Sequence, residues 1–293
     1  MTRRRVKEEL TGLAFVSPAL LWVALFMAFP FLFSIFISVH SWSLLSSTIR
    51  YDGLANYDHL FHDPTFYLAL KNTFVFAAGN VLGSAVMALV FALLVVRETR
   101  ASVYFRVIYY LPVVISIIAA SSLWVYLYNP SAGPIDGLLN LAGLPSVQWL
   151  SSPRLALPSI ILMSVWKNAG YYMVIFLAGL KAIPRGYHEA ASIDGASAAK
   201  TFWRITLPLL KPSIMLVVIM AMINAIQVFA QVYVMTAGGP VGSTMVLVYY
   251  LFQEAFVNFR MGYASAVGIV LFVILLLVSL VEFKLLSTDV DYA

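Results

Sequence analysis

The sequence predicts an all-α polytopic membrane protein with six transmembrane helices and both termini in the cytoplasm. Three observations lead there. Of 293 residues, 62% are hydrophobic and only 11% charged, with a mean hydropathy of +0.91, whereas a soluble domain carries about 25% charged residues. The apolar residues gather into six blocks, 13–39, 73–96, 107–128, 157–180, 212–236 and 263–286. Each has about the 20-residue length that crosses a hydrocarbon layer about 30 Å thick. Lysine and arginine, finally, concentrate in alternate connections between the blocks, which orients the chain.

The first block holds Pro18 and Pro30, which membrane helices tolerate because neighbours re-satisfy the freed backbone groups. Arg3, Arg4 and Arg5 ahead of it resemble the start of a signal peptide. The run is too long for one, however, and no A-x-A-like cleavage site follows. It reads as a retained first helix, 13–39, behind a cytoplasmic tail, 1–12. The outer segment 40–68 opens the aromatic-rich YDGLANYDHLFHDPTFYLAL and is expected against the membrane interface. The remaining blocks form a core over 69–286, followed by a cytoplasmic tail, 287–293. Outside, PSAGP (130–134) and MTAGGP (235–240) are turn-rich, the latter predicting a tight turn directly after the fifth block. Inside, the connection from 182 to 211 is the longest. No internal repeat is visible.

With the N-terminus inside, the cytoplasmic side holds Arg3, Arg4, Arg5, Lys7, Arg97, Arg100, Arg106, Lys181, Arg185, Lys200, Arg204, Lys211 and Lys284. The outer side holds Arg50, Arg154 and Arg260, while Lys71 and Lys167 fall at a helix start and inside a helix. The net charge of +5 therefore serves topology and lipid headgroups, and nucleic acid is not an expected partner. Cysteine is absent, which excludes disulfides, thiolate nucleophiles and Cys-ligated zinc. His40, His59, His62 and His188 are too scattered for a metal site. No phosphate-binding G-x-x-x-x-G-K-[ST] motif occurs, and no paired acids, HExxH or serine–base arrangement. No catalytic residue, metal or cofactor is expected. A secondary transporter would need coupling-ion carboxylates in the membrane interior, where acids are nearly absent. Glu254 falls in the outer segment and Glu282 near the inner end of the last block.

The long cytoplasmic connection reads KAIPRGYHEAASIDGASAAKTFWRITLPLLKPS (181–213). Residues 187–201 are alanine-rich and predict one or two short helices broken at Gly195. Ala190 and Asp194 share a helical face, as do Ala191 and Gly195. Small side chains allow another backbone to approach closely, Glu189 and Asp194 can add charged hydrogen bonds, and Gly195 permits a bend. Spacing alone leaves two readings open: a surface gripped by a partner, or a hairpin capping its own bundle.

The string itself carries more. Glu189-Ala190-Ala191, then Asp194-Gly195-Ala196, then Phe202, Ile205 and Leu207-Pro208 resemble the EAA motif of permease subunits of ABC importers. GLANYDHLFHDPTFYLALKNT (53–73), LPVVIS (111–116), SVWKNAGYYMVIFLAGLKAIP (164–184), MTAGGP and FRMGYASA (259–266) are similar to the carbohydrate-uptake branch of that family. The GGP resembles the first maltose-type or glycerol-phosphate-type permease. The resemblance implies the type I ABC importer permease fold in the cell membrane, with alternating access as the mechanism. It also implies a second homologous permease, two ATPase subunits docked at Glu189, Ala190, Ala191, Asp194, Gly195, Ala196, Leu207 and Pro208, and an extracytoplasmic solute-binding protein. ATP and Mg would be bound by the ATPase, so this chain would bind no cofactor of its own. The implied cargo is a di- or oligosaccharide; a glycerol-phosphate-type substrate is the alternative, and a stand-alone secondary transporter a more distant one. The extra N-terminal helices and large outer domain of the bigger maltose-type subunit are missing from this sequence, so their contacts are not carried over.

Polar residues inside the blocks are the candidate pathway. Lys167 lies near the middle of the fourth block, where a cation is costly unless paired or hydrated; it reaches the interface with its long stem, bonds backbone carbonyls of a neighbour, or lines the pathway. Ser164, Asn168 and Tyr171 share its helix and one face, and Asn224, Gln227 and Gln231 share a face of the fifth. Amides in a bilayer stitch helices together but also bond sugar hydroxyls, and the resemblance places the substrate near midplane on the helices flanking the loop. Ser164, Lys167, Asn168, Tyr171, Asn224 and Gln227 are therefore the expected pathway residues. Gln231 is left out as closer to the outer end, and Asn72 and Asn80 are read as helix-packing groups.

Overall fold

The computed structural model describes residues 3–46 and 48–286, and side chains from Thr11 through Lys284. The expected tail 287–293 lies outside the described residues. The elements are α1 (Arg3–Val23), α2 (Phe29–Ser38), β1 (His40–Ser41), β2 (Arg50–Tyr51), α3 (Ala55–His62), α4 (Pro64–Val95), α5 (Arg100–Val114), α6 (Ile117–Leu127) and α7 (Pro134–Leu141). They continue as α8 (Ala156–Ala182), α9 (Arg185–Ile193), α10 (Ala198–Thr201), α11 (Leu207–Leu209), α12 (Lys211–Ile226), α13 (Ala230–Met235), α14 (Leu247–Phe252) and α15 (Met261–Leu286). A π-helical turn, Ala24–Ala28, joins α1 to α2. The described part of the stretch read as an N-terminal tail is thus helical from Arg3 onward.

Four helical runs are long and apolar enough to cross a membrane: Thr11–Ser38, Pro64–Val95, Ala156–Ala182 and Met261–Lys284. Two more candidates are bent pairs, α5 with α6 at 99° and the α10–α11 run with α12 at 65°. Two of the six blocks are therefore not the straight helices expected. The third starts earlier, because Thr99 and Ser102 form a reciprocal capping box that opens α5 at Arg100. It then breaks after Val114: Pro112 lacks an N–H to continue the ladder, and Ile115 and Ser116 turn extended, with ψ of 136° and 139°. The fifth block ends at Ile226 instead of running to Thr236, and α13 starts only after Phe229, whose φ of −143° and ψ of −63° leave the helical region.

By contacts the chain divides into two units. In the first, residues 1–63 with 251–273, the β1–β2 pair is clamped by Asn56, whose amide donates to the carbonyls of Ser38 (2.9 Å) and His40 (3.0 Å). Gly262 lies where a Cβ would strike the His40 carbonyl. Arg260 pairs with the buried Glu254 and stands 5.0 Å over the Tyr263 ring, while the Tyr263 hydroxyl donates to Asp63 Oδ2 at 2.9 Å. The apolar sides of α1 and α2 are almost wholly exposed.

The second unit, residues 64–250 with 274–293, is organised on α8. Helix α4 packs along it where Gly79 meets Ile161 and Gly83 meets Val165. Helix α5 crosses at Gly170, against the backbone of Tyr109 and Tyr110, and α12 closes on Gly179 through Ser213. Phe76, Ile160, Met163, Tyr172 and Phe176 fill the core between them. Asn72, read as a helix-packing group, donates instead to the carbonyls of Gly242 (3.0 Å) and Met245 (2.9 Å) outside any helix. It pins the turn after α13, where Ala237, Gly238, Val241 and Gly242 all have positive φ.

Candidate functional site

Helices α8 and α12 flank the loop and carry the predicted polar residues. Ser164 is buried; its hydroxyl donates to the Ile160 carbonyl (2.8 Å) and accepts from the Gln231 amide (3.4 Å). Gln231, excluded on the sequence, is thereby tied to a predicted pathway residue. The break at Gln227–Phe229 ends the helical register that put Gln231 on one face with Asn224 and Gln227. Asn224 donates to the buried Tyr172 hydroxyl at 3.5 Å, and Tyr172 meets Tyr171 edge-on with ring centres 5.4 Å apart. Tyr171, Asn224 and Gln227 are exposed and Asn168 is half-buried. The α8 and α12 polar faces thus come together at Tyr171, Tyr172 and Asn224. Among the described residues, Asn168 and Gln227 hold no side-chain hydrogen bond. This surface offers two uncommitted amides and a phenol ring, suited to hydroxyls and to the apolar face of a ring.

Lys167 is placed differently. It is buried, and its ammonium donates to the carbonyls of Pro112 (3.2 Å) and Val113 (3.3 Å) at the end of α5. A helix C-terminus concentrates partial negative charge and unpaired carbonyls, so the cation sits where the 99° bend leaves acceptors free. Of the readings left open on the sequence, this is the bond to a neighbour's backbone. No sequence periodicity points at that partner, since it depends on where α5 breaks.

In the loop, Ile183 is extended ahead of Pro184, which stops α8 at Ala182. Helix α9 ends in a Schellman motif: Gly195, at φ +69°, donates to the Ser192 carbonyl, and Ala196 donates to that of Ala191 (2.9 Å). Ser197 then caps α10, and a π-helical turn, Phe202–Thr206, leads through Leu207-Pro208 back to α12. Glu189, Ala190, Asp194, Gly195 and Pro208 are exposed, Ala196 and Leu207 half-buried, and Ala191 buried. Two apolar neighbours the sequence reading passed over share the exposure: Ile193 at 87% and Trp203 at 66%. Their position next to an acid and amid basic residues was the available signal.

The sequence profile of the family described as "Binding-protein-dependent transport system inner membrane component" matches residues 79–287. A probable ABC transporter permease, YurN of Bacillus subtilis, is 36% identical over 94% of this chain and 95% of its own length. The trehalose/maltose transport permease MalF of Thermococcus litoralis is 32% identical over 97% and 96%. Among solved structures, a bacterial ABC transporter involved in import of the acidic polysaccharide alginate superposes with a TM-score of 0.84 at 25% identity, covering 97% of each chain. The fold is the type I ABC permease fold. Residues 79–287, the near full-length match to transport permeases and that superposition lead to one conclusion: the chain belongs to the family of binding-protein-dependent transport system inner membrane components, the permeases of ABC transporters.

Proposed function

We propose that this chain is one of two homologous permeases in an ATP-driven importer, and that it translocates a di- or oligosaccharide handed over by an extracytoplasmic binding protein. Six spans, with each bent pair counted as one, leave both termini in the cytoplasm and put α9 on the side of the ATPase. Two ATPase subunits bind ATP and Mg and close, and one of them grips α9 through Glu189, Ala190, Ala191, Asp194, Gly195, Ala196, Leu207 and Pro208. Their closure moves α8 and α12 as rigid bodies and alternates access to the pathway. Sugar hydroxyls bond Asn168, Asn224 and Gln227 while the ring stacks on Tyr171; Ser164 and Lys167 support that face from behind.

The observation that carries this reading is the exposed amide and tyrosine surface on the two helices that enter and leave the exposed α9. The relative that transports trehalose and maltose supports a sugar. A phosphorylated substrate is less well supported, because the one cation nearby already donates to two carbonyls. The test is uptake into liposomes holding the chain with its companion subunits and binding protein. Asn224→Ala and Gln227→Ala should each slow ATP-driven disaccharide uptake about three- to tenfold, the worth of one hydrogen bond. Normal coupling after deletion of residues 189–195 would sink the docking assignment, and uptake of glycerol phosphate instead of disaccharide would replace the substrate.

A further inference from the structure

At the loop end of α8 lies a cavity of about 500 Å³ lined by Arg97, Lys181, Arg185 and His188, with Glu98 its one carboxylate. Glu98 bonds Lys181 at 2.5 Å, and its carboxyl is held below the usual glutamate range by Lys181 first, then by Arg106 and Arg185. One acid therefore faces the three cations Arg97, Lys181 and Arg185, and positive charge is in excess. A second, almost purely apolar groove of about 340 Å³ runs between α5 and α8, walled by Val107, Val114, Val174 and Leu177 and headed by Arg106. The Arg106 guanidinium donates one N–H to the Val95 carbonyl (2.8 Å), but its Nε is buried without a partner.

The two cavities follow one line on α8. Val174, Leu177 and Lys181 are spaced three and four apart, down a single helical face. Neither cavity is lined by Ser164, Asn168, Tyr171, Asn224 or Gln227, so both lie apart from the proposed sugar pathway. An apolar trough leading into a cation-rich head is complementary to an amphiphile with an anionic head. Family membership puts the trough in a bilayer.

We propose that this trough is a specific site for an anionic phospholipid, its acyl chain between α5 and α8 and its phosphate held by Arg97, Lys181 and Arg185. Arg106 adds its positive charge at the groove head. Because Arg185 opens α9, occupancy fixes the start of the loop and links the lipid composition of the membrane to its position.

The test uses the full chain, purified with the subunits that accompany it, in nanodiscs of phosphatidylcholine with or without phosphatidylglycerol, and native mass spectrometry to count lipid retained after delipidation. Phosphatidylglycerol should stay bound where phosphatidylcholine does not. Arg97→Ala and Arg185→Ala, both at exposed positions outside the packed core, should each weaken retention about fivefold. Val174→Phe fills the trough without touching a charge and should also release the lipid. Glu98→Gln removes the competing carboxylate and should raise retention. Equal retention of both lipids, or wild-type retention in the arginine variants, overturns the site. If Val174→Phe keeps phosphatidylglycerol and inorganic phosphate displaces it equally from both proteins, the cavity binds a free anion and the lipid assignment fails.

Discussion

Glycine does opposite things in α8 and in the loop that follows it. In α8 a Cβ on Gly170 would run into the backbone of Tyr109, and one on Gly179 into Ser213. In α9 a Cβ on Gly186 would meet nothing within 4 Å, and the same holds for Gly195 just beyond its end. The same residue is thus consumed by packing within the chain in one region and left open in the other. Open small residues beside an 87%-exposed isoleucine are a surface awaiting a complement, whereas closed ones have already met theirs.

The largest test of that contrast is Gly170→Val, which should cost more than the 1–3 kcal/mol typical of overpacking, because backbone, not a movable side chain, is in the way. The protein should fail to accumulate, or melt well below wild type in a detergent thermal-shift assay. Next comes Lys167→Met. It leaves the Val113 carbonyl without its donor at a buried bend and should cost about 1–3 kcal/mol, lowering Tm. Asn224→Ala, by contrast, should leave Tm in place while slowing uptake. Gly195→Ala places a side chain at φ +69° and should cost about 1–2 kcal/mol locally, seen as faster amide exchange in α9 with little change in overall Tm. If Gly195→Ala instead unfolds the whole chain, the loop is part of the core and the contrast collapses. The smallest effect belongs to Gly186→Ala, which should stay within about 0.5 kcal/mol.

The exposed Glu98–Lys181 pair gives a pH dependence of predictable sign. With the folded-state carboxyl lowered, the pair is intact above the ordinary glutamate range and is lost as pH falls through the depressed value. Mild acid down to about pH 5 should leave it alone. Protonation of Glu98 at lower pH should raise retention of phosphatidylglycerol, as Glu98→Gln does.

The second, fourth and sixth blocks were legible because a long apolar run has few alternatives to a membrane helix. The loop was legible because Pro184, Gly195 and Pro208 act locally on their own backbone. The bends were harder. Pro112 is visible in LPVVIS, but a proline in a membrane helix only permits a kink, and the 99° turn at Ile115–Ser116 depends on a neighbour to receive the freed carbonyls. The Gln227–Phe229 break carries neither proline nor glycine, so the residues there do not announce it.

By itself, then, the sequence determined the solvent of this protein, the number of its apolar blocks and the chemistry of its loop, since composition, charge bias and backbone stereochemistry act within a few residues. Only the tertiary structure decided which polar groups are committed. Lys167 and Asn72 are held by carbonyls 54 and 170 positions away, while Asn168 and Gln227 remain open. Hydrogen bonds between distant segments leave no period in the chain, because their partners are set by packing and not by spacing.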